Sequence, residues 1–228
     1  MPSRHQLRKL LQTPGIGTAA RGVRRRRGLL PTGFADLDRA LAGGWPLGAL
    51  IELLVEPYGV GEFRLLLPAL RALGGDRRIL LVAPPYIPYA PAFMRHGLDV
   101  SRILVVRCRC HDDVLWTVEQ ALRSGACAAV LAWPMTADVR ALRRLQLAAE
   151  RSDCWAVLFR PPQSGVQRSP AVLRVTLRPG GRSGLQVRIP KYHGGRPRPV
   201  SGDIGAGEVP DPRQQALARC APDPPPPA

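Results

Sequence analysis

The chain predicts an α/β fold, a doubly wound and mostly parallel sheet with a C-terminal antiparallel hairpin extension. Three observations carry that expectation. Short apolar runs alternate with segments of helical periodicity from Ala49 to Phe159, the rhythm of strand–helix–strand units. After Phe159 the period changes to two, where Val172-Leu-Arg-Val-Thr-Leu177 and Leu185-Gln-Val-Arg-Ile189 flank Gly180-Gly181, as in a hairpin. The 228 residues, 45% of them apolar, have room for one such domain of about 130 to 170 residues plus tails.

In chain order, residues 1–28 read as a short amphipathic helix followed by a linker. Leu7, Leu10 and Leu11 share one side of the helix, and the linker is rich in Gly and Arg and ends in Arg24 to Arg27. Residues 29–199 form the domain. Ala49 to Val55 is its first buried strand, and Glu62 to Leu73 a helix with Leu66, Leu70 and Leu73 at helical spacing, closed by Gly74-Gly75. There follow a strand at Arg78 to Ala83, a short helix at Pro88 to Gly97 and a strand at Ile103 to Cys108. The next helix, Asp112 to Ser124, has Asp112 or Asp113 near its cap and turns Leu115, Val118 and Leu122 inward. Ala128 to Trp133 is a strand, Thr136 caps a helix that runs to about Arg151, and Trp155 to Phe159 is the fifth strand. Trp45, Trp116, Trp133 and Trp155 are expected in the core. Residues 200–228 close in Asp-Pro-Pro-Pro-Pro and read as a disordered Pro-rich tail.

The formal net charge is +16, and Lys9 and Lys191 are the only lysines. Such a charge suits an anionic partner, either nucleic acid or an acidic protein face. Arginine in place of lysine beside abundant Ala, Pro and Gly is also what GC-rich coding produces. Arg140, Arg143, Arg144 and Arg151 read as a solvated helix face or as an interaction patch. The run from Arg188 through Lys191, Tyr192 and Arg196 to Arg198 joins cations to an aromatic ring and loop-forming glycines. That mixture suits phosphate contact and base stacking, in a DNA or partner contact. The five cysteines are odd in number, and no second ligand pair follows Cys108-Arg-Cys110-His111 at zinc-like spacing. Reduced thiols of a cytosolic protein are expected, with no metal site. No apolar run approaches membrane-spanning length and no export signal opens the chain, so a membrane is not expected as a partner.

Between the first strand and its helix lies Glu56-Pro-Tyr-Gly-Val-Gly-Glu-Phe-Arg64, where a phosphate-binding loop would sit. A working loop of the form G-x-x-x-x-G-K-[S/T] wraps phosphates in backbone N–H groups, reaches them with its Lys and holds Mg²⁺ with its hydroxyl. In this register Glu56 takes the place of the first glycine, Glu62 of the lysine and Phe63 of the hydroxyl residue. Gly61 alone survives. Gly59, Gly61 and Glu62 read as a retained tight turn, or Glu62 as the cap of the helix N-terminus. Two carboxylates facing the phosphate position repel a nucleotide. No cofactor and no catalytic residue are expected.

The lead-in of Thr32-Gly33, Asp36-Leu37-Asp38, Gly43-Gly44-Trp45-Pro46 and Gly48, with the order of elements behind it, resembles the core of the RecA recombinase family over about residues 30 to 190. The family's water-activating glutamate falls here in Pro84-Pro85, its Walker-B aspartate at Ala132 or Trp133, and its γ-phosphate sensor in Arg160-Pro161-Pro162. With the loop, these are four losses, and they imply that ATP turnover is gone. The short connections after the fourth and fifth strands imply that the recombinase's single-strand groove is gone too. Among RecA-like proteins without nucleotide chemistry, the sequence is most similar to the ImuA family. The similarity lies in Leu30 to Leu54, Gly59 to Pro68, Leu158-Phe-Arg-Pro161 and the basic Lys191 to Arg198 segment. That resemblance implies a non-enzymatic accessory protein of SOS-induced mutagenic translesion DNA synthesis, cytoplasmic and nucleoid-associated. Its implied partners are an inactive Y-family-like polymerase subunit (ImuB), an error-prone replicative-type DNA polymerase, and a RecA filament met through the shared subunit-packing surface. The alternative is a SulA-like inhibitor that binds the tubulin-like division protein.

Overall fold

The computed structural model describes residues 28–55, 58–59, 61–180 and 184–193, with the backbone of 203–204. The expected N-terminal helix and the Arg24 to Arg27 run lie outside the described residues. So do Glu56, Gly181, Arg196, Arg198, Cys220 and all of the 200–228 segment but Asp203–Ile204.

The lead-in folds as a clasp. Leu29–Leu30 (β1) pairs antiparallel with Trp45–Pro46 (β2) around the helix Ala35–Ala40 (α1). Its glycines answer to sterics. At Gly44 (φ 136°) a Cβ would lie 2.2 Å from the Leu30 carbonyl oxygen, and at Gly33 (φ 84°) 2.4 Å from Pro68 Cβ. Only glycine combines such φ values with such close approach. The Asp38 carboxylate ties the clasp by accepting from the Thr32 N–H at 2.8 Å.

From there the chain alternates: Ala49–Val55 (β3), Glu62–Ala72 (α2), Arg78–Val82 (β4), Ala90–Arg95 (α3), Ile103–Val106 (β5), His111–Ser124 (α4), Cys127–Ala132 (β6), Val139–Glu150 (α5) and Trp155–Arg160 (β7). Leu173–Pro179 (β8), Leu185–Tyr192 (β9) and Asp203–Ile204 (β10) complete the set. One eight-stranded sheet runs β10-β9-β8-β3-β7-β6-β4-β5. Its members from β8 to β5 are parallel, and β9 and β10 are antiparallel additions. The expected hairpin is β8–β9, and its first strand also joins the parallel set beside β3.

Strands β3, β6 and β7 are buried along their whole lengths, as parallel strands covered on both faces must be. One face, with Ile51, Leu53 and Trp155, packs on the clasp and on Leu66 and Leu70 of α2. The other, with Leu50, Leu80 and Leu158, packs on Val118 and Leu122 of α4 and Leu142 and Leu145 of α5. Trp45, Trp133 and Trp155 are core residues, whereas Trp116 is half-buried. At the start of α5 the structure corrects the expected cap. Asp138, not Thr136, holds the N-cap position, its carboxylate accepting from the Ala141 N–H at 2.6 Å. A capping side chain must sit one residue before the helix to reach its first free amides. Thr136 lies further back, and its hydroxyl meets His111 Nε2 at 2.9 Å.

Candidate functional site

The strand–loop–helix junction from β3 to α2 closes on itself. Gly61, left-handed at φ 104°, is the N-cap of α2, and Gly59 is also left-handed at φ 93°. Helix N-termini present unpaired amides and a partial positive charge, and so attract anions. The anion here is the chain's own. Glu62, the first helical residue and only 5% exposed, folds its carboxylate back over the loop. One oxygen accepts from the Gly59 N–H at 2.9 Å; the other accepts from Gly59 at 3.1 Å and from Gly61 at 3.2 Å. Of the two sequence readings of Glu62, the structure shows the tight turn and not the cap: Gly61 holds the N-cap position, no side chain bonds the first helical amides, and the Glu62 carboxylate bonds loop amides that precede the helix.

The next residue, Phe63, enters an aromatic stack. It lies nearly parallel to Trp133 (centroids 5.8 Å apart) and to Phe159 (6.2 Å), and tilts against Phe93 at 5.6 Å. Trp133 and Phe159 themselves stack at 4.4 Å with planes 1° apart. These rings come from the start of α2, the residue after β6, the end of β7, and α3. They gather at the carboxyl ends of the parallel strands, where open α/β sheets bind their ligands. Four rings occupy that place. Phe63 was singled out by the loop register and Trp133 by its place at the end of the fourth predicted strand; Phe93 and Phe159 became visible only when the topology brought them together.

A second constellation was not foreseen. Glu52 of β3, Arg160 of β7 and Arg174 of β8 form a buried ionic cluster. The Glu52 carboxylate accepts from Arg160 Nη1 and from Arg174 Nε, each at 2.6 Å. Burial alone would raise the Glu52 pKa, but hydrogen bonds from Arg174, Ser169 and Arg160 outweigh it and hold the carboxyl below its ordinary range. Other guanidinium donors pin the connection between β7 and β8 and the one before α5, while Arg160 Nε is buried with no hydrogen-bond partner. Arg174 donates to the carbonyls of Ser164, Gly165 and Gln167, and Arg160 to the Gln167 side chain and the Ala137 carbonyl. The sequence signal was a charge inside two apolar runs, at Glu52 and Arg174, and a third, Arg160, at the end of another.

The predicted contact residues fall on two elements. Arg140, Arg143 and Arg144 lie exposed on α5. Arg144 pairs with Glu119 of α4 at 3.3 Å, and Glu119 also meets Arg123 at 2.7 Å. Arg188 is exposed on β9. Its neighbours are engaged internally: Lys191 Nζ donates to the Ser169 carbonyl, and the Tyr192 hydroxyl donates to the Leu41 carbonyl at 3.0 Å. Burial, with Arg174 nearby, lowers the Lys191 pKa, and burial raises that of Tyr192. Of the cysteines, Cys127 and Cys154 are buried, Cys108 half-buried and Cys110 exposed. Burial pushes the Cys127 thiol up to about 12.

These features define an α/β protein whose strand–loop–helix junction and crevice are filled by its own side chains. No family model matches the chain. It is 31% identical over 153 residues to Protein ImuA of two Caulobacter vibrioides strains, which covers 63% of this chain and 62% of the relative. It is 30% identical over 131 residues to the cell division inhibitor SulA of Photorhabdus laumondii, covering 57% of this chain and 70% of that protein. The chain belongs to the family that these ImuA and SulA proteins share. It spans a little under two thirds of the length of the ImuA proteins it matches. Among the described residues no helix is long and apolar enough to cross a membrane.

Proposed function

We propose that the chain is a non-enzymatic accessory protein of the DNA-damage response, acting as a scaffold in SOS-induced mutagenic translesion synthesis. Residues 29–199 are a RecA-like domain with a degenerate phosphate loop, retained for its surfaces. Its partners are an ImuB-type polymerase subunit, an error-prone replicative-type polymerase and a RecA filament, which places it in the cytoplasm at the nucleoid. Kinship with ImuA supports the pathway, and the mostly parallel sheet is compatible with a RecA-like core. The observation that carries the loss of nucleotide chemistry is the Glu62 carboxylate on the Gly59 and Gly61 amides. A phosphate would have to displace a buried, covalently tethered anion and then meet the ring of Phe63. Equilibrium dialysis against millimolar Mg·ATP is expected to show no binding, and a micromolar dissociation constant overturns the reading of the loop.

A second reading, a division inhibitor that binds the tubulin-like division protein, is favoured by the SulA match, which covers the larger share of its relative. Tagged protein recovered from DNA-damaged cells separates the two. Polymerase subunits in the eluate support the first, and the division protein alone supports the second. Direct DNA contact belongs to the first reading, with Arg140, Arg143, Arg188, Arg196 and Arg198 as its cations. If about six phosphates are neutralised, affinity for single-stranded DNA falls about 10³-fold or more between about 50 and 200 mM salt. A flat response assigns the arginines to coding composition.

A further inference from the structure

The carboxyl ends of β4, β5 and β6 form a rim that carries large apolar side chains in water. Tyr86, Ile87 and Tyr89 follow β4 and are 66%, 79% and 68% exposed; Met135 follows β6 and is 62% exposed. Isolated exposed apolar residues are ordinary, but four on neighbouring connections call for a partner. The three exits are held together by backbone and side chain. The Ala83 N–H donates to the Val106 carbonyl at 2.7 Å, the Trp133 N–H to the Val82 carbonyl at 3.1 Å, and Thr136 meets His111 at 2.9 Å. Pro84, Pro85 and Pro88 stiffen the first connection, so little chain entropy is lost when its side chains are covered.

The surrounding charge is mainly positive. Arg107 and Arg109 are exposed just after β5, and Arg140 is exposed on the first turn of α5. Of the nearby carboxylates, that of Asp138 is engaged in capping α5, while in the first turn of α4 Asp113 is half-buried and Asp112 is exposed. We infer that this rim is a docking surface for an acidic protein segment that inserts large apolar side chains between Tyr86, Ile87 and Met135. The cations select the acidic flanks, and the apolar centre supplies most of the binding energy. A nucleic acid fits less well: it could stack bases on Tyr86 and Tyr89, but Ile87, the most exposed of the four, and Met135 would gain no stacking partner. The inference rests on the accessory role proposed above, in that it takes the occupant to be a protein.

The test uses the full chain and a fluorescein-labelled acidic peptide with Leu and Phe at i, i+4 spacing, followed by anisotropy. The double substitution Ile87→Ser and Met135→Ser leaves the charge unchanged, lies at exposed positions, and is checked for folding by circular dichroism. The peptide is expected to bind the wild type, to bind the double variant at least about tenfold more weakly, and to bind a Gln186→Ser control on β9 as it binds wild type. Equal affinity for wild type and double variant, no binding to wild type, or displacement of the peptide by a dT oligonucleotide overturns the rim. Purified ImuB-type subunit, run in parallel, separates the two ideas. If it binds wild type and double variant alike, the accessory role stands and this surface falls. If it binds neither while the peptide discriminates them, the surface stands and the role falls.

Discussion

Glu52 shows how much one buried residue can decide. It is fully buried among Arg160, Arg174 and the Ser169 hydroxyl, and its two oxygens organise cations that in turn hold five carbonyl or amide oxygens of the surrounding backbone and side chains. Glu52→Gln removes the countercharge and leaves two buried guanidinium groups facing a neutral amide. Such a change is expected to lower the unfolding free energy at neutral pH by about 3–5 kcal/mol, measured by urea denaturation. The pH dependence follows from the sign of the shift. The folded pKa lies below the ordinary value of a glutamate, so the stability that ionised Glu52 contributes is complete above that ordinary value. It is lost as the pH falls through the lowered pKa. The gap between wild type and Glu52→Gln is therefore expected to narrow on acidification below about pH 4.5. A gap that widens would mean the carboxyl is not held ionised. The charge within Ala49–Val55 is plain in the sequence, but its partners stand 108 and 122 residues away. Only the sheet order makes them neighbours.

At the scale of elements, local chemistry set most boundaries, and the misses have local causes. Thr136 and Asp138 are both good capping residues two positions apart, and periodicity fixes a helix start only to within a turn. The structure decides for Asp138. Asp138→Ala is expected to cost about 1 kcal/mol (range about 0.5–2) through loss of the bond to the Ala141 amide. Thr136→Ala is expected to leave thermal stability nearly unchanged, because its partner His111 sits at an exposed contact. Equal losses in the two melts would restore Thr136 as the cap. The aromatic stack is a tertiary property of four elements. Phe93 and Phe159 were legible only as apolar residues, since stacking of Phe159 on Trp133 requires β7 to lie beside β6. Phe159→Ala removes a fully buried ring and is expected to cost about 3–5 kcal/mol, with a changed Trp emission as the ring facing Trp133 is lost. A cost below about 1 kcal/mol would mean that the crevice can open without unfolding, and that it is not a closed core.

For the whole molecule, the alternation of strands and helices was readable because buried parallel strands are continuously apolar and amphipathic helices are not. Strand order was not readable, since no local pattern says that β7 intervenes between β3 and β6. Charge has the same limit: the sequence gives its amount, while its use depends on the fold, as with Lys191 and Arg174, both turned inward. The excess that remains has a global consequence. At a formal net charge of +16 the folded chain repels itself, and compaction brings those charges closer than they are when unfolded. The exposed pairs that oppose this, Arg39 with Asp36 and Arg144 and Arg123 with Glu119, contribute at most about 1 kcal/mol each. The Glu52 cluster is buried and little screened. Raising NaCl from about 10 to about 150 mM shortens the Debye length from about 30 to about 8 Å, so it weakens long-range repulsion more than it weakens the buried bonds. The melting temperature is expected to rise with salt by a few degrees, each 1 kcal/mol being worth about 2–4 °C in a domain of this size. A fall would show that surface ion pairs outweigh the net charge. Capture of an acidic or nucleic-acid partner should respond in the opposite sense, weakening over the same range as its attraction to the arginines is screened. Opposite slopes for stability and binding would show that the excess charge opposes the fold and serves the contact.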